Sequence, residues 1–401
     1  MDSQTSFRIR VSTSINEADA TAWDRLARVS DGHGAEYNPF VSHAFLSALE
    51  DSGSAVAETG WLGQHLVLED DTGTALAALP CYLKNHSQGE YVFDHGWADA
   101  FYRAGGEYYP KLQCSVPFTP ATGPRLLTGN AQNRQALGYA LLNGLQQLTG
   151  RIGASSAHIT FMREAEWNLA RDAGLLARTD RQFHWFNRDY GSFDVFLEAL
   201  SSRKRKNIRK ERKTALSVEG LEIERLTGST LNEAAWDAFF SFYMDTGSRK
   251  WGSPYLTREF FSLVSERMTD NILLVMAKRD GRYVAGALNF IGSDCLYGRH
   301  WGCIEDHPCL HFELCYYQAI DYAIEHGLAR VEAGAQGEHK LARGYEPVTT
   351  HSAHYIANES LRRAVADYLQ SERHHVTREQ EFLRDHLPFK EGSGGRNDHE
   401  G

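Results

Sequence analysis

The chain has 401 residues and a formal net charge of −10. That length suffices for two domains, and that charge argues against binding of nucleic acid or an anionic membrane by the protein as a whole. Hydrophobic residues make up 42% and charged residues 23%, which excludes a disordered or fibrous protein. No basic segment leads into an apolar run at the N-terminus and no window is apolar enough to span a membrane, so we expect a cytoplasmic protein without a membrane span.

The first half is predicted to alternate strands and helices, with a hairpin turn at Asp71-Thr72-Gly73. In chain order the predicted elements are a strand at 7–12, helices at 21–28 and 42–49, strands at 65–69, 75–84 and 90–97, a helix at 133–148, a strand at 157–161 and a helix at 165–173. The segments 94–97 and 118–125 are interpreted either as a groove wall, with Trp97 or Tyr109 stacking on a sugar, or as structural loops.

A basic segment follows the first half. The range 192–217 is predicted to form one long helix, and its part from Arg203 to Lys213 holds eight Lys or Arg residues against one Glu. Such a concentration in an acidic protein indicates an anion-binding face. The residues proposed to bind substrate there are Arg203, Arg205, Lys206 and Arg209. The alternative is a solvated linker helix that contacts acidic residues.

The second half shows the clearer pattern. Thr230 and Glu233 are predicted to form a capping box, Thr257 is predicted to cap a second helix, and Asp280-Gly281 predicts a tight hairpin turn. In chain order the predicted elements are a strand at 221–226, helices at 230–243 and 257–268, strands at 272–278, 283–291 and 295–301, a helix at 308–326, a strand at 328–333, a short helix and a strand at 349–355.

These two orders of elements are similar, which predicts a duplication. We expect a first lobe at 5–190, a basic linker helix at 191–218, a second lobe at 219–388 with the site, and a tail at 389–401 that cannot bury apolar area. The fold class predicted is α/β (α+β), with two mixed sheets flanked by helices.

Three sequence motifs resemble a known family: Ser201–Lys210, Tyr297–Gly302 and, most specifically, Glu332–Pro347 (EAGAQGEHKLARGYEP). With them the chain resembles the bacterial peptidoglycan biosynthesis/recognition family, a FemAB-like branch of the GNAT acyltransferase superfamily, over roughly residues 5–388. The resemblance implies a tandem duplicated GNAT fold.

That resemblance also implies an activity. FemAB enzymes join amino acids to a cell-wall precursor from aminoacyl-tRNA, whereas most GNAT enzymes use acyl-CoA. The resemblance therefore implies an acyl or aminoacyl transferase that forms an amide on a small amine or a peptidoglycan precursor, with acyl-CoA or aminoacyl-tRNA as co-substrate and no tightly bound cofactor. By analogy, Gly334, Gly337, Lys340 and Gly344 would line the substrate groove.

Candidate catalytic residues follow a predicted strand, where α/β folds gather their sites. Glu338 or His339 could accept a proton from an attacking amine, and Lys340 could bind a phosphate or carboxylate, with Gln336 beside them as a substrate contact. The alternative is a solvated turn that opens a short helix.

A second candidate group lies on the third hairpin strand, at 299–301. The period of a strand places Arg299 and Trp301 on one face and His300 on the other. The alternative is an aromatic residue packed in the core beside a surface arginine. The following loop lacks the glycines that would hold a CoA pyrophosphate, and Glu305 and Asp306 would repel it.

The six cysteines do not have the spacing of a zinc site, so no metal is predicted. Two other interpretations remain open: a non-catalytic protein that recognises a peptidoglycan fragment, and a protein that binds tRNA or a nucleotide. The oligomeric state is not predicted.

Overall fold

The computed structural model describes residues 7–30, 35–250, 254–334 and 337–390. The chain divides into two compact units, each built from three segments. Unit 1 comprises 1–180, 255–268 and 349–377, and unit 2 comprises 181–254, 269–348 and 378–401. The predicted lobes were continuous ranges, whereas each of these units takes up segments from both halves of the sequence. The predicted linker helix lies within unit 2.

The strands are β1 Arg8–Ser12, β2 Val29–Ser30, β3 Ala35–Glu36, β4 Leu62–Gly63, β5 His65–Glu69, β6 Ala75–Leu79, β7 Tyr82–Lys84, β8 Lys111–Cys114, β9 Ser156–Met162, β10 Leu176–Phe186, β11 Leu221–Leu226, β12 Ile272–Arg279, β13 Arg282–Ile291, β14 Cys295–Cys303, β15 Arg330–Glu332 and β16 Glu346–Ile356. The helices are α1 Ala20–Ala27, α2 His43–Asp51, α3 His95–Arg103, α4 Arg134–Arg151, α5 Glu164–Asp172, α6 Phe193–Ala199, α7 Ser202–Leu216, α8 Glu233–Lys250, α9 Arg258–Arg267, α10 Leu310–Phe312, α11 Gln318–Glu325 and α12 Glu359–Arg384.

Unit 1 contains a small antiparallel sheet, β1-β5-β6, and a mixed set of strands in the order β4-β7-β8-β9-β16. Only β8 and β9 run parallel in the mixed set, while the other neighbours are antiparallel. Helix α4 connects β8 to β9 and packs its leucines on Leu112 and Ile159. The apolar core of this unit therefore lies on the α4 face of the strands.

Unit 2 contains strands in the order β11-β12-β13-β14-β15-β10. Strands β11 to β14 are antiparallel, and β14 pairs parallel with β15. The predicted turn between β12 and β13 is confirmed, because Asp280 and Gly281 have φ of 50° and 78°, as a two-residue turn with both residues left-handed requires. The core of this unit gathers Trp185, Phe196 and Tyr317 with residues of β12 to β14.

Both units repeat one arrangement: a strand, a helical crossover and a second strand parallel to the first. The crossover is α4 in unit 1 and the 310–325 segment in unit 2. The final strands are exchanged between the halves of the sequence. His184–Phe186 of β10 pairs with β15 within unit 2, and His351–Ile356 of β16 pairs with β9 within unit 1. The predicted mixed α/β fold with sheets flanked by helices is confirmed.

Several predicted elements differ from the structure. The helix predicted at 192–217 is two helices, because Leu200 is extended (φ −84°, ψ 155°) and fully buried in the core. The strand predicted at 90–97 is wrong, since helix α3 begins at His95 and the carboxylates of Glu90 and Asp94 bind Lys111 of the unpredicted strand β8. Strand β10 and helix α12 were also not predicted.

Two helix starts differ as well. Thr230 forms a capping box with Thr227 of the preceding 3₁₀ turn rather than capping α8, and the Asn232 side chain accepts from the amide of Ala235 at the start of α8. The helix predicted from 308 begins instead at Leu310, because Cys309 has a left-handed φ of 65°. It then contains a π-helix, Glu313–Tyr317, before α11. Thr257 caps α9 as predicted.

Candidate functional site

The parallel strands of unit 2 separate at one point. Pairing of β14 with β15 ends at Tyr297 and Glu332. A β-bulge follows, because Leu288 of β13 pairs with His300 while the next residue, Asn289, pairs with Gly298. Arg299 is therefore the extra residue of the bulge. Bulges bend a strand and redirect its side chains, and they occur frequently beside active sites.

The two side chains after the bulge lie on opposite faces, as their spacing predicts. The Trp301 ring lies edge-on to His311, with centroids 5.1 Å apart. The His300 ring lies edge-on to Tyr243 of α8, also at 5.1 Å. Burial lowers the pKa of His300 to about 3, so its imidazole is neutral at pH 7. Helix α8 covers the strand face that carries His300. The candidate site residues that remain accessible therefore lie on the face that carries Trp301.

On the Trp301 face, an imidazole–phenol pair connects the π-helix to the 3₁₀ helix Glu338–Arg343. The hydroxyl of Tyr316 lies 2.9 Å from Nε2 of His339. Burial raises the pKa of Tyr316, and burial together with the cations Arg343 and Lys340 lowers the pKa of His339. Both groups are therefore neutral at pH 7. His339 is exposed, whereas Tyr316 is buried.

The 3₁₀ helix is bound to the basic helix α7 through Arg343. Its guanidinium donates to both carboxylate oxygens of Glu211, at 2.9 and 3.0 Å, and to the carbonyl of His339 at 2.7 Å. It also lies 3.5 Å from the ring centre of Phe312. Tyr317 of the π-helix donates to the same carboxylate of Glu211. These contacts hold His339 in a fixed position beside α7.

A second anchor of α7 is Arg212. Its guanidinium donates to both carboxylate oxygens of the buried Glu313 and to Asp321. The π-helix thus supplies both Glu313, which holds α7, and Tyr316, which bonds His339. π-Helical turns inside helices are frequent at functional sites.

The outer face of α7 carries a basic stripe of four exposed side chains, which are Arg203, Lys206, Lys210 and Lys213. Their spacing of three and four residues places them on one side of a helix, and none of the four forms an ion pair with another described residue. Of the other predicted substrate contacts, Arg205 is half-buried and Arg209 pairs with Asp194 at 3.1 Å.

Lys340 has a different environment from the one predicted. Its side chain is buried, and Nζ donates to the carbonyls of Ala333 at 2.6 Å and Gly334 at 2.8 Å. Burial lowers its pKa to about 8. The Lys340 ammonium therefore links the start of the loop after β15 to the 3₁₀ helix that follows this loop. Gln336 and the side chain of Glu338 lie outside the described residues.

The predicted repulsion of a phosphate by Glu305 is offset by neighbouring cations. Its carboxylate pairs with the cations Arg279 at 2.8 Å and Arg282 at 2.6 Å, and it also lies 2.9 Å from Nε2 of His307. His311 instead packs in the aromatic group with Trp301, so the two histidines of the cysteine-rich segment make separate contacts.

Tyr316, Arg343 and Glu211 were not identified from the sequence. Glu211 was the single acid among eight basic residues, which was an available signal that α7 is anchored on one side. Tyr316 and Arg343 gave no such signal, because their roles depend on a helix irregularity and on packing across elements distant in sequence.

The comparisons with known proteins are consistent with this architecture. A family model described as peptidoglycan biosynthesis/recognition, FemAB-like, matches residues 14–391. Among curated proteins, no sequence matches this chain at a significant level.

Solved structures share the fold at low sequence identity. FemX has a TM-score of 0.52 at 12% identity, with 90% of this chain and 100% of FemX covered. The C-terminal domain of a putative lysylphosphatidylglycerol synthetase from Agrobacterium fabrum has a TM-score of 0.50 at 12% identity, with 81% and 95% covered. A tandem GNAT protein of the clavulanic acid biosynthesis pathway has a TM-score of 0.47 at 12% identity, with 88% and 99% covered. The predicted tandem GNAT fold is confirmed.

Proposed function

Because this chain belongs to the FemAB-like peptidoglycan biosynthesis/recognition family, we propose that it is an aminoacyl or acyl transferase that forms an amide bond on an amine of a cell-wall precursor or small molecule. The proposed site is the Trp301 face of unit 2, between the bulge at Arg299, the 3₁₀ helix and α7. Among the described residues, no helix is both long and apolar enough to cross a membrane.

The observation that carries this proposal is the hydrogen bond between Tyr316 and His339. An amine attacks an activated acyl group only when it is neutral, so the site needs a group that takes a proton as the amide forms. A neutral imidazole meets this need in the tautomer whose Nε2 accepts from the Tyr316 phenol. As the nitrogen–acyl bond forms, the amine proton passes to the Tyr316 oxygen while the Tyr316 proton passes to Nε2 of His339. The bond between the acyl group and the oxygen or sulfur of the donor then breaks, and this leaving group takes up the proton held by His339.

The basic stripe supports a phosphate-bearing acyl donor. From Arg203 to Lys213 the helix rises by about 15 Å, which is longer than one pyrophosphate and suits several phosphates of a nucleic-acid backbone. The loop before α10 lacks the glycines expected for a CoA pyrophosphate. We therefore favour aminoacyl-tRNA over acyl-CoA as the donor, and a cytoplasmic location, where charged tRNA is made, is part of the proposal.

The donor is tested by binding measurements over a range of salt concentrations. Each lost phosphate contact lowers the slope of log affinity against log salt by roughly 0.7–0.9. The triple variant Arg203→Glu, Lys206→Glu, Lys210→Glu is expected to lower the slope for aminoacyl-tRNA by about 2–3. The control triple Arg103→Glu, Arg134→Glu, Arg151→Glu changes exposed arginines of unit 1 by the same charge. If both triple variants lowered the salt slope equally, the basic stripe would be rejected as the tRNA-binding surface. If the protein bound acyl-CoA tightly and aminoacyl-tRNA not at all, tRNA would be rejected as the donor.

The chemistry is tested by His339→Gln and Tyr316→Phe. General acid–base catalysis contributes about 10²–10⁴-fold, so we expect each variant to lose at least 100-fold in the amide-forming rate with little change in donor affinity. Full activity in both variants would reject this site.

A non-catalytic recognition protein is the second candidate function. The observation that favours it is the occupation of the Lys340 ammonium by two backbone carbonyls, which takes the motif lysine away from a substrate phosphate. A muropeptide that raises the melting temperature, together with no transfer from any charged tRNA or CoA thioester, would support it.

A further inference from the structure

A cavity of about 310 Å³ lies within unit 1, between helix α1 and the small sheet β1-β5-β6. Its walls come from all four of these elements and from the turn that joins β5 to β6. Protein interiors are close-packed, with few voids larger than a water molecule, whereas the pockets that bind small molecules begin at about 300 Å³. The space beside α1 is therefore large enough for a small ligand.

The sequence explains why this space stays open. Ile9 and Leu68 pair in register and pack into the core on the α4 side, so the next pair, Arg10 and Val67, faces α1, because side chains alternate along a strand. Alanines line the cavity on both the helix side and the sheet side: Ala18, Ala22, Ala75 and Ala78. Their methyl groups are too short to fill the space between a helix and a sheet.

The floor of the cavity is apolar. It is formed by Trp23, Leu26 and Val67, and all three side chains are buried. The indole N–H of Trp23 donates to the carbonyl of Val41 at 2.9 Å, so this ring offers the cavity carbon surface and no free donor. A ligand that fills the cavity must therefore bring an apolar body to this floor.

The charged residues of the lining are two arginines and two acids, Arg10, Arg25, Asp19 and Glu69. Both carboxylate oxygens of Glu69 are occupied, because one accepts from Arg8 and the other from Arg10, each at 2.7 Å. Although burial acts against its charge, these two arginines lower the pKa of Glu69, so the carboxylate is ionised at pH 7. Its charge is therefore neutralised within the protein.

The other acid is also engaged, whereas Arg25 is not. Asp19 caps α1, because its Oδ1 accepts from the amide of Ala22 at 2.7 Å. Among the residues that the structure describes, the guanidinium of Arg25 makes one hydrogen bond, from Nη2 to the carbonyl of Ala75 at 3.2 Å, and no ion pair. A guanidinium carries five N–H donors. The lining of the cavity therefore offers spare donors at Arg25.

We propose that this cavity binds a small organic acid, with its apolar body on the Trp23 floor and its carboxylate at Arg25. The planar fork of a guanidinium matches the two oxygens of a carboxylate. The charges agree, because the two arginines of the lining together with Arg8 outnumber the two carboxylates by one, which a monocarboxylate balances. The site lies within unit 1 and does not rest on the transfer proposed for unit 2.

Binding is tested on the full-length protein with benzoate, benzyl alcohol and benzylamine, which share one ring and differ in the head group. Calorimetry measures their affinities, and a ligand of the folded state also raises the melting temperature with concentration. Hydrogen bonds to a charged group are worth roughly 1.5–3 kcal/mol, so we expect benzoate to bind roughly tenfold or more tighter than benzyl alcohol and benzylamine not to bind. No binding of benzoate, or binding of either analogue as tight as that of benzoate, would overturn the proposal.

Two variants test the head group and the cavity separately. Arg25→Gln removes the charge and should weaken benzoate roughly tenfold while benzyl alcohol is unaffected. Ala22→Leu places a longer side chain in the cavity with a residue that helices accept well, and it should abolish binding of both. The control is Arg151→Gln, an exposed arginine at the end of α4, which should bind benzoate like the wild type. The proposal is overturned if Arg25→Gln or Ala22→Leu binds benzoate as tightly as this control.

Discussion

The two parallel strand pairs of this protein have the same topology and opposite chemistry. Beside β8 and β9 in unit 1, charged side chains are buried and bound to one another around Lys111. Beside β14 and β15 in unit 2, strand β14 carries a bulge, an exposed His339 bonds to Tyr316, and the basic stripe of α7 is exposed. A duplicated fold thus determines where the parallel strand pair lies, while the side chains determine whether the charged groups beside it are buried and paired or exposed.

The largest expected effect follows from removing the central cation of the closed network. Lys111→Met removes the ammonium that binds both buried carboxylates, Glu90 and Asp94, which should lower the free energy of unfolding by about 3–5 kcal/mol. Urea denaturation measures it. The control is Lys213→Met on the exposed stripe, expected to change stability by less than about 0.5 kcal/mol. Equal effects of both substitutions would mean that the unit 1 network is not a closed one.

The next effect is a pH dependence in unit 1. Burial raises the pKa of Glu90 from 4.5 to about 7, so the folded state holds a proton that the unfolded state has lost. Its contribution to stability is complete below pH 4.5 and is lost as the pH rises to about 7. Each pH unit of that window corresponds to about 1.4 kcal/mol, so the loss is about 3 kcal/mol.

The difference between Glu90→Gln and the wild type isolates this contribution. The variant should lack the decline between pH 4.5 and 7 in denaturation curves. The pKa of Lys84 is lowered from 10.5 to about 7 and that of Asp94 is lowered below 3.8, so their changes fall outside the window. Parallel profiles would show that Glu90 is ionised throughout.

A smaller effect is expected in unit 2. Arg343→Met removes the hydrogen bonds to Glu211 and to the carbonyl of His339, and hydrogen bonds to charged groups are worth roughly 1.5–3 kcal/mol. We expect a loss of about 2 kcal/mol and faster hydrogen exchange in α7, because Arg343 holds this helix. Arg203→Met should change neither quantity. Unchanged exchange in Arg343→Met would show that α7 is held by Arg212 alone.

The smallest effects compare two tyrosines directly. Tyr108→Phe removes a bond to the carboxylate of Asp94, while Tyr316→Phe removes a bond to a neutral imidazole. Because charge-assisted bonds are about twice as strong, the expected losses are about 2 and about 1 kcal/mol by urea denaturation. The reverse order would contradict the contrast between a closed charged network and an open neutral pair.

Much of the fold was predictable because its signals are local. The strands of unit 2, the Asp280-Gly281 turn and the Thr257 cap follow from alternation, turn chemistry and capping within a few residues. Strand β8 was missed although its residues Lys111–Cys114 alternate between polar and apolar, because the strand is only four residues long and follows a segment rich in Gly, Tyr and Pro. The exchange of β10 and β16 depends on pairing between distant segments, which no local pattern shows.

The candidate site was predictable in part. The 3₁₀ helix that contains residues 338–340 and the basic helix lie beside one another in unit 2, while their roles in catalysis and binding stay predictions. The direction of Lys340 was not predictable, because two carbonyls of its own loop bind the ammonium. From sequence alone, a lysine in a family motif is interpreted as a substrate ligand. Only the conformation of the loop shows that its ammonium binds backbone carbonyls instead.

The exchanged final strands have a consequence for synthesis on the ribosome. Strand β9 is complete when residue 162 has been made, yet its neighbour β16 is made only when the chain reaches residues 346–356. Until then β9 presents an unpaired edge, and such edges promote aggregation. A fragment that ends near residue 190 would keep this open edge permanently, and a fragment that begins there would lack the strand that pairs with β15. We therefore expect neither half of the gene to yield a stable protein when expressed alone.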